Sequence, residues 1–292
     1  MKVSGFTFVR NAIKYDYPVV EAIKSILPLC DEVVVSVGNS EDDTLGLIQS
    51  INSPKIRITH SVWDDSLRKD GRVLAVETDK AYAAISADAD WAFYIQADEV
   101  VHEDGYEAIR NAMIKYKDDT SVEGLLFNYV HFYGSYDYVG DSRTWYQHEI
   151  RIVRNDKRIR SYRDAQGFRK DNEKLHVKSV AAAIYHYGWV KDPYLQAKKT
   201  TNSLQLYNGE NEAAIREKAS QELYDYNNID SLEHFKGVHP QVMLPRISQK
   251  NWDFNFDTSR KKFRKVKYAI LYWIEKKTGK RLFDYRNYKL IR

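Results

Sequence analysis

From Val3 to Val130 the chain alternates short β-branched or aromatic runs with stretches of helical spacing, and that rhythm leaves few folds open. Val3 to Val9 alternates as a first strand. Tyr17 to Leu29 follows with Val19, Val20, Ile23, Ile26 and Leu27 on one helical face, and Glu32 to Val37 is a second strand. Asp42-Asp43-Thr44 reads as a helix start, Pro54 ends that helix, and Lys55 to Thr59 alternates again. Arg72 to Ala87 has helical spacing, Trp91 to Ile95 is a fourth strand, Asp104 to Lys117 a helix and Gly124 to Val130 a strand. Strands that alternate with helices in this way predict an α/β fold with a mostly parallel central sheet flanked by helices.

The fourth strand stops at Gln96-Ala97-Asp98-Glu99, two adjacent carboxylates directly after an apolar run. In open α/β sheets, ligands sit in the crevice beyond the strand C-termini. Carboxylates there are costly unless a metal or a substrate cation balances them, although the pair could also cap the helix that begins near Asp104. Beyond residue 130 the alternation breaks. Ile150 to Val153 and Val177 to Tyr185 read as antiparallel strands in an aromatic-rich region, and Asp192 to Tyr207 with Asn211 to Asn227 read as a helical pair. One compact unit to about residue 255 and a basic helical extension are expected.

Charge supports that division. The whole chain carries +4, but from Ser259 onward thirteen Lys/Arg face only Glu275 and Asp284. Arg260 to Lys280 is an amphipathic helix candidate, with Phe263, Val266, Ala269, Ile270, Trp273 and Ile274 on one face. It suits either an anionic membrane surface, through residues 259–281, or packing on the body or a second copy. The acidic body and the lack of a nucleic-acid motif argue against nucleic acid. Cys30 is the one cysteine, which excludes an intramolecular disulfide and a multi-cysteine metal site. There is no stretch of about 18 apolar residues, so no transmembrane helix is expected. The default compartment is the cytoplasm, with peripheral association at the inner membrane face as the role of the tail.

Two motifs, in order and at their spacing, carry a resemblance. Val33 to Thr44, ending in Asn39-Ser40-Glu41-Asp42-Asp43-Thr44, resembles the D-N-G-S-x-D-x-T signature of family-two glycosyltransferases of the GT-A fold. Trp91 to Glu99 resembles their D-x-D segment. The similarity spans roughly residues 1 to 190. It implies a Rossmann-like GT-A fold and an inverting transfer from a nucleotide-diphosphate sugar, UDP- or GDP-linked, to a glycan, lipid-linked or protein-linked acceptor. It also implies a cofactor, Mn²⁺ or Mg²⁺, held by Asp98 and by His186 in the Tyr185-His186-Tyr187-Gly188-Trp189 segment.

On the same resemblance, Thr7, Arg10, Asn11, Asn39, Ser40, Asp65, Arg72, Gln96 and Asp98 are the nucleotide-sugar-binding candidates. Asp164 is the candidate base, with Glu149 and Glu99 as alternatives, and Glu99 otherwise assists Asp98 or positions acceptor hydroxyls. Lys191, Lys198 and Lys199 face either the diphosphate or solvent. Two positions depart from the pattern. Gln96 stands where the family has the first Asp of D-x-D, and Val37 where it often has the Asp that reads the base. A non-catalytic sugar-nucleotide-binding subunit is the alternative from another class. A nucleotidyltransferase is disfavoured because Phe8 to Ala12 is not a Gly-rich loop.

Overall fold

The computed structural model describes residues 1–67, 70–208, 222–263 and 265–291; the side chain of Asp65 and most of the helix expected over 211–227 lie outside them. Strands β1 (Val3–Val9), β2 (Glu32–Gly38), β3 (Ile56–Ser61) and β4 (Trp91–Tyr94) form the parallel half, in the order β3-β2-β1-β4. The linking helices are α1 (Val19–Ile26), α2 (Thr44–Gln49) and α3 (Arg72–Ala83). This is the βαβ rhythm read from the sequence, with ends shifted by a few residues.

The sheet is buried on both faces. Val33, Val35, Phe93 and Ile95 pack with α1 and α2 on one side, whereas Phe6, Val34 and Tyr94 pack with Tyr82 of α3 and Phe168 on the other. Two covered faces explain why these strands are continuous apolar runs. Chain order reverses at β1, which lies between β2 and β4, so the C-terminal ends of β1 and β4 flank the switch point.

The second half is mixed. After β5 (Glu99–Val101) and α4 (Tyr106–Lys115) come β6 (Gly124–Tyr133), β7 (Ser135–Gly140) and β8 (His148–Arg154). Strand β8 is antiparallel to both β4 and β6 and joins the two halves. A small sheet, β9 (Ile159–Tyr162), β10 (Gly167–Lys170) and β11 (Glu173–Lys174), then leads into the long β12 (His176–Trp189). The sequence suggested an antiparallel β12; it is antiparallel to β5 but parallel to β6. The small sheet acts as the crossover that a parallel connection requires.

Helix α5 (Pro193–Asn208) follows β12, and β13 (Leu232–His234) adds to β7. Short α6 (Leu244–Ser248) and α7 (Val266–Thr278) precede β14 (Lys289–Leu290). The basic extension is joined to the body. Tyr272 of α7 donates to Asp141 (2.6 Å), Arg143 pairs with Glu275 (2.8 Å), and β14 pairs with the start of β12. The opposite face of α7 is bare, with Val266 78%, Ile270 55% and Trp273 58% exposed. No helix among the described residues is long and apolar enough to cross a membrane.

Candidate active site

A cavity of about 780 Å³ opens over the switch point, within the range of small-molecule sites. Its floor is the ends of β1 (Phe8, Val9, Arg10, Asn11) and β4 (Gln96, Ala97, Asp98). The turn between β9 and β10 supplies Asp164, β12 supplies His186, and α5 forms a roof from Gln196 to Tyr207. Trp63, Tyr15, Tyr17, Tyr146 and Trp189 add aromatic wall.

The loop that carries the first motif braces the end of β1. Asn11, in a left-handed conformation at φ 57°, accepts from the Glu41 amide at 2.7 Å, and its own amide donates to Ser40 Oγ at 3.0 Å. The Ala12 amide donates to Thr44 Oγ1 at 2.8 Å, and Asp43 caps α2 by accepting from the Gly46 amide. Asn39 accepts from the Trp63 amide through its side chain and from Arg10 Nε through its carbonyl. Asn39 and Ser40 therefore hold the loop and do not line the cavity.

The two carboxylates after β4 part company. Glu99 begins β5, is fully buried, and takes Arg151 bidentately, Nε at 2.7 Å and Nη2 at 2.5 Å; the Tyr129 hydroxyl donates to it as well. It lies outside the cavity lining. The expectation that Glu99 assists catalysis is thus corrected: alternation along β5 turns it inward, and its charge is met by Arg151.

Asp98 does line the cavity, fixed through its carbonyl, which accepts from the Tyr187 amide at 2.8 Å. Its Oδ2 accepts from Lys199 Nζ at 3.0 Å and lies 3.7 Å from His186 Nε2. Burial would raise its pKa, but the charges of Lys199 and His186 hold it well below the usual carboxylate range. Gly188 makes this approach feasible, since a Cβ there would stand 2.5 Å from both Asp98 Oδ2 and His186 Nε2.

A histidine relay orients the ring. Burial, with His186 beside it, holds His131 well below its ordinary range and therefore neutral. His131 Nε2 then donates to the Tyr146 carbonyl (3.1 Å) and its Nδ1 accepts from His186 Nδ1 (3.3 Å). His186 Nε2 is left facing Asp98.

Asp164 sits between two left-handed residues, Arg163 (φ 55°) and Ala165 (φ 65°), which thrust it toward the cavity. Tyr207 at the end of α5 donates to its Oδ2 at 2.8 Å, and Gln166 to its Oδ1 at 3.0 Å. The roof is pinned there also by the amides of Asp70 and Gly71, which donate to the carbonyls of Tyr207 and Leu206. Gln96 lines the cavity, its amide nitrogen donating to the Ala165 carbonyl at 3.2 Å. Two buried polar atoms on the lining lack a protein partner, Trp63 Nε1 and Gln196 Oε1.

Of the sequence candidates, Arg10, Asn11, Gln96, Asp98, Asp164 and His186 meet in one cavity. Thr7 is buried within β1, and Arg72 is exposed at the start of α3, away from the lining. Glu149 is buried behind the wall, where burial pushes it up to about 8. Arg151 and Tyr207 were missed. A charged residue between Ile150 and Ile152 was the available signal for Arg151; nothing local marked Tyr207.

The donor set for a divalent cation is small. Asp98 Oδ2 and His186 Nε2 converge, but among the described residues no group of three or more His, Cys, Asp or Glu is placed to hold a metal. The ammonium of Lys199 occupies the same carboxylate oxygen. An ion about 2.1 Å from that oxygen would lie within about 5 Å of Nζ, a repulsion of roughly 7 kcal/mol at an effective dielectric constant of about 20. The residues as arranged do not fit Mn²⁺ or Mg²⁺.

The fold is a mixed α/β sheet consistent with a Rossmann-like GT-A fold, with its polar cavity at the switch point. Solved structures provide remote likenesses. TarS residues 1–349 from S. aureus in complex with UDP is 14% identical, with TM-score 0.39, over 75% of this chain and 70% of that one. Glucosyl-3-phosphoglycerate synthase from Mycobacterium tuberculosis in complex with Mn²⁺, UDP and phosphoglyceric acid is 17% identical, with TM-score 0.29, over 44% and 43%. The 4-diphosphocytidyl-2C-methyl-D-erythritol synthase of Anaerococcus prevotii is 10% identical, with TM-score 0.32, over 53% and 70%. No protein-family model and no curated protein matches. Likenesses this remote carry no functional argument, which rests on the cavity.

Proposed function

We propose that the protein is a nucleotide-sugar-dependent glycosyltransferase of the inverting kind. The observation that carries this reading is the meeting of Asp98 and Asp164 in one aromatic-walled cavity at the switch point. The diphosphate lies at the Arg10, Asn11 and Asp98 end. Trp63, with Arg10 over its ring at 5.5 Å, is the aromatic wall beside the nucleoside.

Asp164 accepts the proton of the acceptor hydroxyl. The hydroxyl oxygen bonds to the anomeric carbon as the bond from that carbon to the phosphate oxygen breaks, and the electron pair leaves with the nucleoside diphosphate. Tyr207 and Gln166 hold the Asp164 carboxylate beneath the α5 roof.

The acceptor in this proposal is a glycan on a lipid or protein carrier, in surface polysaccharide or glycoprotein synthesis, met at an anionic membrane. The outward stripe of α7, Val266, Ile270 and Trp273, is apolar and flanked by Lys267 and Lys277, whose ammonium lies 4.5 Å from the Trp273 ring centroid. That pairing of apolar and cationic side chains complements anionic headgroups.

Calorimetric titration of UDP- and GDP-sugars, followed by an assay of nucleoside diphosphate release, tests the transferase reading. Asp164→Asn should keep donor binding and lower turnover at least about a hundredfold. Normal turnover in that variant removes Asp164 as base, and a chain that binds no nucleotide sugar is not a transferase.

A further inference from the structure

We propose that Lys199 is the built-in counter-cation of the donor diphosphate, so that nucleoside diphosphate binding needs no divalent metal. The inference rests on the transferase reading and departs from the cofactor that the resemblance implies.

Four observations converge on it. Lys199 projects from the second turn of α5 into the cavity, only 14% exposed, and donates to Asp98 Oδ2 (3.0 Å) and to the Gly188 carbonyl (2.8 Å). Its ammonium also stands 5.1 Å from the Tyr17 ring centroid. The ammonium is therefore held in place at the strand end, where the resemblance would put the metal.

The second observation is the first carboxylate of D-x-D, replaced by Gln96, whose amide nitrogen is bonded to Ala165. Without that carboxylate, a divalent ion at the strand end would have Asp98 alone as its carboxylate from this segment. Third, Lys199 occupies the oxygen of Asp98 that His186 also approaches, so one ammonium takes the position between the two residues that the resemblance assigns to a metal.

Fourth, Lys191 is fully buried against the same Tyr17 ring, with its Nζ donating to the Asp16 carbonyl. Lys191 is thereby committed away from the cavity, which leaves Lys199 as the one of the two lysines that lines it. An ammonium with three donors, two of them committed, turns its remaining hydrogen and its full charge toward a phosphate oxygen. Arg10 lines the same cavity and adds a second cation.

The test is calorimetry of UDP, GDP, CDP and ADP with the full chain, in EDTA and in excess MnCl₂. The nucleotide that binds should have dissociation constants in the two conditions within about threefold of each other. Lys199→Met should weaken it at least about thirtyfold in EDTA, as loss of a charge-assisted hydrogen bond implies, and Lys199→Arg should restore most of the affinity. Circular dichroism melts of both variants confirm that they fold, and Lys199→Arg keeps the test valid if Lys199→Met does not. Binding that requires Mn²⁺, or that Lys199→Met leaves unchanged in EDTA, overturns this inference while the transferase reading stands. Absence of binding by all four nucleotides in both conditions overturns the transferase reading and this inference with it.

Discussion

Glu149 makes stability depend on pH in a direction opposite to that of most carboxylates. It lies in β8 with its carboxyl 3.5 Å from Arg151 Nη1. Burial pushes it from an ordinary 4.5 up to about 8; the pull of Arg151 opposes the shift, and the charges of Glu99 and Asp164 add to it. Between those values the folded chain keeps a proton that the unfolded chain has released, so stability falls as pH rises through that window.

At about 1.36 kcal/mol per unit, roughly 1 kcal/mol is already lost at about pH 5 and nearly 5 kcal/mol at about pH 9. Glu149→Gln keeps the shape and removes the titration. The difference in unfolding free energy between variant and wild type, from urea denaturation followed by tryptophan fluorescence, should move in the variant's favour by about 4 kcal/mol between about pH 5 and pH 9. Because both proteins share every other titrating group, those cancel in the difference. A difference constant to within about 1 kcal/mol across that range would refute the placement of Glu149 as a buried proton-holding acid.

Three further outcomes are expected. Glu99→Gln strands the buried Arg151 guanidinium and should cost about 3–5 kcal/mol, seen as a melting temperature roughly 6–10 °C lower; a shift under about 2 °C would show the pair to be dispensable. Lys191→Met should be most stabilising relative to wild type below about pH 7, with the advantage shrinking toward about pH 10, because the folded lysine lacks a proton that the unfolded one holds across that window. Urea denaturation at both ends checks it, and an advantage that grows with pH is the wrong sign. Ile270→Glu with Trp273→Glu, both on the bare face of α7, should cut sedimentation with phosphatidylglycerol vesicles about tenfold and leave the melting temperature alone. Vesicle binding indifferent to these changes would remove the α7 face from membrane contact.

The sequence revealed the parallel half because a sheet covered on both faces requires near-continuous apolar strands, and Val33 to Val37 and Trp91 to Ile95 are such runs. It also located Asp98, since a carboxylate at the end of a buried strand stands out by contrast. It could not separate Asp98 from Glu99. Adjacent residues in an extended chain face opposite ways, and which faces the cavity depends on the pairing of β5 with β12, 87 residues later at His186↔Glu99. The roof helix was legible over Asp192 to Tyr207, with Lys199 facing either diphosphate or solvent, but its placement over the site was not, for a related reason. Lys199 and Tyr207 gain their roles only when α5 crosses the strand ends, and helical spacing says nothing about what a helix will cross.

The joint between β14 and β12 has a consequence for how the protein is made. Leu290 lies beside Val177, the Ile291 amide donates to the Val177 carbonyl, and Arg169 donates to the Asn287 carbonyl at 2.8 Å. These partners are held apart by more than a hundred residues of chain, so they cannot meet until the segment around Leu290 has been synthesised. During synthesis the start of β12 therefore presents an open strand edge for as long as the intervening chain takes to emerge.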